Sequence, residues 1–294
     1  MPKKKKGVVN RTEFMTQYTV TGDGFQYRPV QRTVNGIYPG FYKFDVDNQG
    51  IFIQNIDINN SELLKFSDTI ESKLIDEFGL FWTLKDEYLS RGEQHKRGYL
   101  LHGPPGGGKS SLISLLTSTF IDQGNVVFEF NTLLAVGLPN FRSIEPDRKI
   151  MVIIEDVDAY IGKDIEESLL QFLDGVIQHT NTVVIATTNY PEKLPGRIRN
   201  RPSRFDRVEK IDYPSDDARR TYAVAKAQKM TEAEIETMVA DTTDFTFAHL
   251  KEIILAVEVY GISYLEVLER LQDMRKQEAD SLKYEMRSVK LGFD

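Results

Sequence analysis

The stretch Tyr99-Leu100-Leu101-His102-Gly103-Pro104-Pro105-Gly106-Gly107-Gly108-Lys109-Ser110-Ser111 decides how the rest of the chain is read. A short apolar run enters it and a helical pattern leaves it, with Leu112, Ile113, Leu115, Leu116 and Phe120 at helical spacing. Between them, Gly103 to Ser110 fits Gly-x4-Gly-Lys-Ser, a loop whose glycines let the backbone N–H groups turn inward around phosphate oxygens. The positive end of the following helix adds to that field. In this setting Lys109 is expected to reach the β and γ phosphates of a nucleotide, and the Ser110 hydroxyl to ligate Mg²⁺. Ser111 continues the phosphate-binding stretch.

Further runs support a layered α/β unit around this loop. Tyr99–His102, Val126–Phe130, Met151–Ile154, Val183–Ala186 and Val208–Ile211 read as buried strands. Leu169, Phe172, Leu173, Val176 and Ile177 mark a helix between two of them. Strands alternating with helices predict a mainly parallel sheet covered on both faces. The strand Ile150–Ile154 ends in Glu155-Asp156-Val157-Asp158, where carboxylates can hold Mg²⁺ and orient a water. The strand Val183–Ala186 runs on into Thr187-Thr188-Asn189, and the amide of Asn189 can touch both a γ-phosphate and that water. From Arg197 to Arg207 there are five arginines in eleven residues, interrupted by Pro202, which predicts a rigid cationic loop.

Upstream, residues 1–35 lack periodicity and read as a loose arm. Residues 36–80 read as a hairpin, Phe41–Val46 with Ile51–Ile58 about Asp47-Asn48-Gln49-Gly50, and a helix opened by Asp68 and Glu71. That helix carries Ile70, Leu74, Ile75 and Phe78 on one face, and a second runs from Phe81-Trp82 to Leu89. Phe81 and Trp82 have two readings, packing near a nucleobase or ordinary core. The α/β unit takes residues 81–213. After Pro214 only helical patterns remain, at 216–229, 231–241, 246–260 and 263–285, so 214–294 reads as a small all-helical domain. Phe247, Leu250, Ile253, Ile254 and Val257 form a core stripe there.

Composition narrows the chemistry. The chain has 294 residues and no cysteine, which excludes disulfides, thiolate zinc sites and iron–sulfur clusters. No apolar run reaches the roughly 20 residues of a membrane helix, and Lys3–Lys6 is followed by polar sequence and not by a signal-peptide core. A cytoplasmic protein with no integral membrane segment is expected. Between Thr231 and Arg270, nine acids against two bases account for the whole net charge of −7. That acidic face argues against a nucleic-acid partner, and Lys3–Lys6 reads as a solvated tail.

Taken together and in this order, these segments resemble the AAA family of ring-forming ATPases over about residues 80–285. The resemblance is carried by Lys96-Arg97-Gly98-Tyr99-Leu100-Leu101, the phosphate loop, Glu155-Asp156-Val157-Asp158, Leu169-Leu170 with Leu173-Asp174-Gly175, and Arg201-Pro202-Ser203-Arg204-Phe205-Asp206. Within the family the branch most similar is that of the mitochondrial respiratory-complex-III assembly ATPases, which translocate the folded Rieske protein and share the Glu-Asp order. The resemblance implies a P-loop NTPase fold, a doubly wound parallel sheet followed by a helical lid. It implies Lys109 and Ser110 as the Walker A pair, Glu155 and Asp156 as Walker B, with Asp156 at the catalytic position. It implies Asn189 as the sensor of the γ-phosphate, and Arg201 and Arg204 as arginine fingers acting on a neighbouring subunit. Three departures stand out. Ser203 replaces a glycine. Leu133-Leu134-Ala135-Val136-Gly137, the nearest pore-loop candidate, has no aromatic. The membrane helix of the mitochondrial branch has no counterpart. In the lid, Ala248 and Leu250 follow the pattern for nucleotide contact, and His249 reads as an ordinary helix residue.

The expectation is an ATPase with ATP and Mg²⁺ at the subunit interfaces of a homo-oligomeric ring of six or seven, working on a protein cargo. Two rivals share the nucleotide chemistry, a nucleic-acid-associated motor or loader and an ATP-gated scaffold in which Asp156 is a poor substitute for glutamate.

Overall fold

The computed structural model describes residues 17–21, 26–30, 33–56, 70–163, 165–174, 180–199, 201 and 204–276. Expectations about Lys3–Lys6, Ile58, Asp68, Gly175, Val176, Ile177, Pro202, Ser203 and residues 277–285 lie outside them.

Within the segment expected to be a loose arm, β1 (Gln17–Thr21) pairs antiparallel with β2 (Gln26–Val30). The strands are five residues each, too short for a periodic signal, although Tyr18, Val20, Tyr27 and Val30 favour extended backbone. The next hairpin, β3 (Gly40–Asp47) and β4 (Gly50–Ile56), forms where expected. It is not a separate unit, because β3 runs parallel to β6 (Val126–Glu129) and extends the main sheet. Phe44 of β3 stacks on Phe128 of β6 with centroids 5.0 Å apart, and Asn131 donates to the Phe44 carbonyl at 2.7 Å. Sequence periodicity does not report such pairing between distant strands.

The helix α1 (Ile70–Phe81) ends where a second had been expected to start, and α2 is shorter (Lys85–Ser90). Then come β5 (Lys96–His102), α3 (Lys109–Asp122), β6, α4 (Leu134–Ile144), β7 (Ile150–Ile154), α5 (Ile165–Leu173), β8 (Thr182–Thr188), the short α6 (Gly196–Arg199) and β9 (Arg207–Lys210). The sheet order is β4-β3-β6-β7-β8-β5-β9, parallel throughout except for the β3–β4 hairpin. Successive residues of the central strands alternate between two cores. Ile150, Val152 and Ile154 join Leu134, Leu138, Phe141, Leu169 and Phe172 from α4 and α5 on one face. Met151 and Ile153 join Leu74, Phe78, Leu112, Leu116 and Phe120 from α1 and α3 on the other. This is the doubly wound arrangement, and all five residues of β7 are buried because both faces are covered.

The pore-loop candidate Leu133–Gly137 is a helix and not a loop. Leu134 and Leu138 are fully buried, and Gly137 lies so close to Phe44 that a Cβ there would be 2.2 Å from the ring. Trp82 and Phe81 are core residues. Trp82 stacks on Phe120 at 4.9 Å, and Phe81 stacks on His95 at 4.1 Å. The nucleobase reading of these two aromatics is therefore dropped.

After β9 the chain is helical: α7 (Asp216–Lys226), α8 (Glu232–Asp241), α9 (Phe247–Glu258) and a helical stretch at 264–276. Ser215 caps α7 by accepting from the Ala218 N–H, and Thr231 and Glu234 form a capping box on α8. His249 occupies the equivalent place on α9, its Nδ1 facing the Thr246 hydroxyl at 2.7 Å, which makes it a capping residue. Ile235, Met238, Phe245, Leu250, Ile253 and Leu271 form a core of their own.

Candidate functional site

Parallel strands deliver their carboxyl ends to one edge of the sheet, where ligands of open α/β folds collect. Here β5, β8 and β7 are neighbours, and their register places Leu101 beside Thr187 and Ile154 beside Ala186. The residues just beyond each strand therefore meet. They are the loop from Gly103, the pair Glu155-Asp156, and Asn189.

The loop turns because its glycines adopt backbone that other residues resist, with φ +150° at Gly103, +72° at Gly106 and +109° at Gly108. Space also demands glycine, since a Cβ on Gly103 would lie 1.9 Å from the Ile211 carbonyl oxygen. Gly108 is the residue before α3, so the loop ends on a helix N-terminus.

Lys109 is buried and folds back over the loop. Its ammonium donates to the carbonyls of Gly103 at 2.8 Å and Pro104 at 2.9 Å, and to Asn189 Oδ1 at 2.7 Å. Burial lowers its pKa, with the Asp156 charge working in the opposite direction. The Asn189 amide in turn donates to Asp156 Oδ1 at 3.3 Å, so one side chain bridges cation and carboxylate. Asp156 has φ +47°, in the left-handed region that Asp enters more readily than most residues, and its N–H donates to Thr187 Oγ1 at 3.1 Å. Asp158 faces away, accepting from the Thr188 hydroxyl at 2.6 Å. Glu155 is shifted upward by partial burial and by the charges of Asp156 and Glu129, while the Ser110 hydroxyl donates to it and opposes the shift. Ser110 and Glu155 thus present hard oxygens together, a donor set that suits Mg²⁺.

These groups line a cavity of about 450 Å³. Pro105, Gly106, Gly108, Lys109, Ser110, Ser111, Glu155, Asp156 and Asn189 face it, as the sequence had suggested for that edge. The opposite wall belongs to the lid, through Tyr222, Lys226, Phe247, Ala248 and Lys251. The lid is tied to the loop by a hydrogen bond from the Phe247 N–H to the Gly106 carbonyl at 3.1 Å. Thr187, Tyr222, Lys226 and Lys251 were missed in the sequence. The i,i+4 spacing of Tyr222 with Lys226 and of Phe247 with Lys251 is visible, but it looks the same on any amphipathic helix, and Thr187 looks like any residue of a buried strand.

The arginine loop is not uniform. Arg204 is buried, and its guanidinium grips Asp174 of the same chain at 2.6 and 2.7 Å and the Arg197 carbonyl at 2.5 Å. Its backbone is equally fixed, because Gly98 of β5 passes so close that a Cβ there would be 2.1 Å from the Arg204 carbonyl oxygen. Arg201 touches Asp174 at 3.1 Å but keeps 56% of its side chain exposed. Within this chain, three of the five Arg204 N–H donors are taken by Asp174 and the Arg197 carbonyl, whereas Arg201 is the more exposed of the two arginines expected to reach a neighbouring subunit.

No helix among the described residues is long and apolar enough to cross a membrane. Residues 99–213 match the model of the ATPase family associated with various cellular activities (AAA). The chain is 34% identical over 146 residues to the mitochondrial chaperone BCS1 of Homo sapiens, covering 44% of this chain and 34% of that protein. It is 29% identical over 211 residues to the ATP-dependent zinc metalloprotease FtsH of Marinobacter nauticus, covering 62% and 32%. It is also 29% identical over 227 residues to an AAA family ATPase of Acanthamoeba polyphaga mimivirus, covering 65% and 26%. The matched region thus spans between 26% and 34% of these relatives' length.

Proposed function

We propose, from the premise that this chain carries an AAA ATPase domain, that it hydrolyses ATP at the interfaces of a homo-oligomeric ring and uses the energy to remodel or move a protein partner. The observation that carries the reading is the convergence of the phosphate loop, Glu155-Asp156 and Asn189 on one cavity closed by the lid.

In this reading the loop N–H groups and the α3 N-terminus bind the phosphates, and Lys109 leaves its loop carbonyls for the β and γ oxygens. Ser110 and Glu155 would hold Mg²⁺, which supplies charge neutralisation across the phosphate oxygens when bound. Asp156 accepts a proton from, and orients, the attacking water. Asn189 passes from Lys109 to the γ-phosphate, so loss of that phosphate is felt at Asp156 through the same amide. Residues 81–213 act as the nucleotide-binding unit and 214–294 as the lid.

Arg201, exposed at the loop, serves as the finger toward a neighbouring subunit, and Arg204 positions it by sharing Asp174. An arginine supplied in this way is worth about 10³–10⁵ in rate in related phosphoryl-transfer enzymes. The protein-directed role draws on the chaperone and protease names of the relatives. Leu133–Gly137 carries no aromatic and buries Leu134, leaving Val136 as its exposed large apolar side chain, which favours a machine that does not grip an unfolded chain with this segment.

The test is ATP turnover by mixed assemblies of Asp156→Asn and Arg201→Ala chains. Each parent should be nearly inactive, and the mixture should recover activity wherever an intact Asp156 meets an intact Arg201 of a neighbour. A dead mixture of assembled parents removes the shared-site reading. No turnover by the unaltered protein at any concentration removes the ATPase reading.

A further inference from the structure

Of the three carboxylates in Glu155-Asp156-Val157-Asp158, Asp158 does not line the cavity. It lies in a single 3₁₀ turn, Val157–Tyr160, two residues beyond β7, and Val157 beside it is fully buried. Its Oδ1 accepts a hydrogen bond from the Thr188 hydroxyl at 2.6 Å, the length expected when a hydroxyl donates to a carboxylate. Thr188 is the last residue of β8 and is fully buried. A hydroxyl has one proton to give and lone pairs to receive. Thr188 gives its proton to Asp158 and receives the Tyr190 N–H at 3.0 Å. This second bond reaches two residues along the chain, so it closes a small turn with Asn189 at its centre.

Asn189 is thereby held from the residues on both sides of it. Its own side chain bridges Lys109 Nζ at 2.7 Å and Asp156 Oδ1 at 3.3 Å. The second distance lies just past the usual N–H···O range of about 2.7–3.2 Å, so a small rotation at Asn189 breaks that bond. The other end of the link returns to the same carboxylate. The Ala159 N–H donates to the Asp156 carbonyl at 2.8 Å, which fixes Asp158 in the turn relative to Asp156. The contacts make a closed circuit. Asp156 meets the Asn189 amide, Asn189 follows Thr188, the Thr188 hydroxyl meets Asp158, and the turn leads back to Asp156. The Asp158–Thr188 bond stands outside the cavity with its donor buried, where water competes little with a hydrogen bond.

We infer that Asp158 and Thr188 are positioning residues of the site, which aim the Asn189 amide at Asp156 and at the γ-phosphate without touching either the water or the nucleotide. This rests on the cavity being an ATP site. A pair that only secured the end of β8 would serve stability alone. A pair that aims Asn189 serves turnover, because Asn189 touches the carboxylate that orients the attacking water. A misplacement of about 1 Å in such a group costs on the order of 100-fold in rate. Neither residue belongs to the phosphate loop, so nucleotide affinity is left to the loop.

The experiment compares Thr188→Val, Thr188→Ser, Asp158→Ala and the double variant Asp158→Ala/Thr188→Val with the parent, as full chains, with thermal unfolding to show that each folds. Three quantities are read: hydrogen exchange of the Tyr190 amide without nucleotide, affinity for a fluorescent ADP analogue, and steady-state ATP turnover. The Tyr190 amide should exchange faster in Thr188→Val, which removes its acceptor, and to a lesser degree in Asp158→Ala. Both single variants should lose about 10–100-fold in kcat with KM and ADP-analogue affinity within about twofold of the parent. Thr188→Ser keeps the hydroxyl and should restore all three quantities. The double variant should match the worse single variant within about twofold, because both substitutions cut one link.

Folded Val and Ala variants with the parent's kcat overturn the inference, even if they unfold at a lower temperature, since the pair then serves stability alone. Unchanged exchange at Tyr190 in Thr188→Val overturns it, and so do losses that multiply in the double variant. If Thr188→Val does not fold, Asp158→Ala decides by the same kinetic criteria, because Asp158 is only half-buried. No turnover by the unaltered chain removes the ATPase reading and this inference with it. An active parent with unimpaired variants removes this inference alone.

Discussion

Replacing Asp174 by Asn tests whether the arginine loop is held from within its own chain. Asn keeps the shape and one carbonyl acceptor but removes the charge that Arg204 meets through two hydrogen bonds, at 2.6 and 2.7 Å. The Arg204 side chain is only 5% exposed, so its charge would remain buried with the Arg197 carbonyl as its main partner. Breaking a buried ion pair from one side costs about 3–5 kcal/mol. The Asp174 side chain is 27% exposed, which lets water reach part of the abandoned guanidinium and moves the expectation to about 3 kcal/mol. In urea, with a slope of about 3 kcal/mol/M, the unfolding midpoint should fall by roughly 1 M. The pH dependence carries the same signature. Hydrogen bonding from Arg204, against some desolvation, holds the Asp174 carboxyl below the ordinary carboxylate value. A group depressed in the folded state stabilises fully above its unfolded pKa, near 3.9, and loses that contribution as pH falls through the folded value. The gap between parent and Asp174→Asn should therefore be constant near neutrality and close on acidification below about pH 4. Adding Arg204→Met to the Asn variant should restore part of the loss, because the orphaned charge is then gone. An Asp174→Asn protein within about 0.5 kcal/mol of the parent at pH 7, or a gap that does not change with acid, would refute the buried-pair reasoning. It would also leave the Arg204 guanidinium available to a neighbouring subunit.

Two further outcomes follow from the site. Gly103→Ala should lower affinity for a fluorescent ATP analogue more than about tenfold while the lid still unfolds at its own temperature, because a Cβ 1.9 Å from the Ile211 carbonyl forces the loop to move. Normal binding would show that the loop tolerates the shift. Thr187→Val keeps the shape of the side chain but leaves the Asp156 N–H without its 3.1 Å acceptor. Steady-state kinetics should show kcat down about 10–100-fold with KM little changed, since the carboxylate loses its aim and the phosphates keep theirs. Equal losses in both parameters would mean that Thr187 supports the whole cavity.

How much of this was legible beforehand depends on the range of the interaction. The loop Gly103–Ser110 was readable because its conformation is imposed locally, by glycines at positive φ and by the helix that follows. Glu155, Asp156 and Asn189 were readable because each lies at the end of an apolar run, and parallel strands bring such ends to one edge. The buried strands themselves were plain from composition, since β7 and β8 are covered on both faces and have no polar side to disguise them.

What the sequence by itself determined, then, was the doubly wound sheet, the helical region after it and the sheet edge that carries the Gly103–Ser110 loop, all products of hydrophobic periodicity and of residues that dictate their own backbone. Only the tertiary structure decided that the 40–56 hairpin extends the sheet through β6, that Leu133–Gly137 opens α4 with Leu134 and Gly137 buried, and that Trp82 packs on Phe120. Only the tertiary structure separated Arg204, locked on Asp174, from Arg201, and brought Lys226 and Lys251 across from the phosphate loop. Each of these is a contact between residues about 30 to more than 100 positions apart. In such a contact neither partner's local pattern differs from that of an ordinary amphipathic segment, so the pairing is set by how whole elements pack.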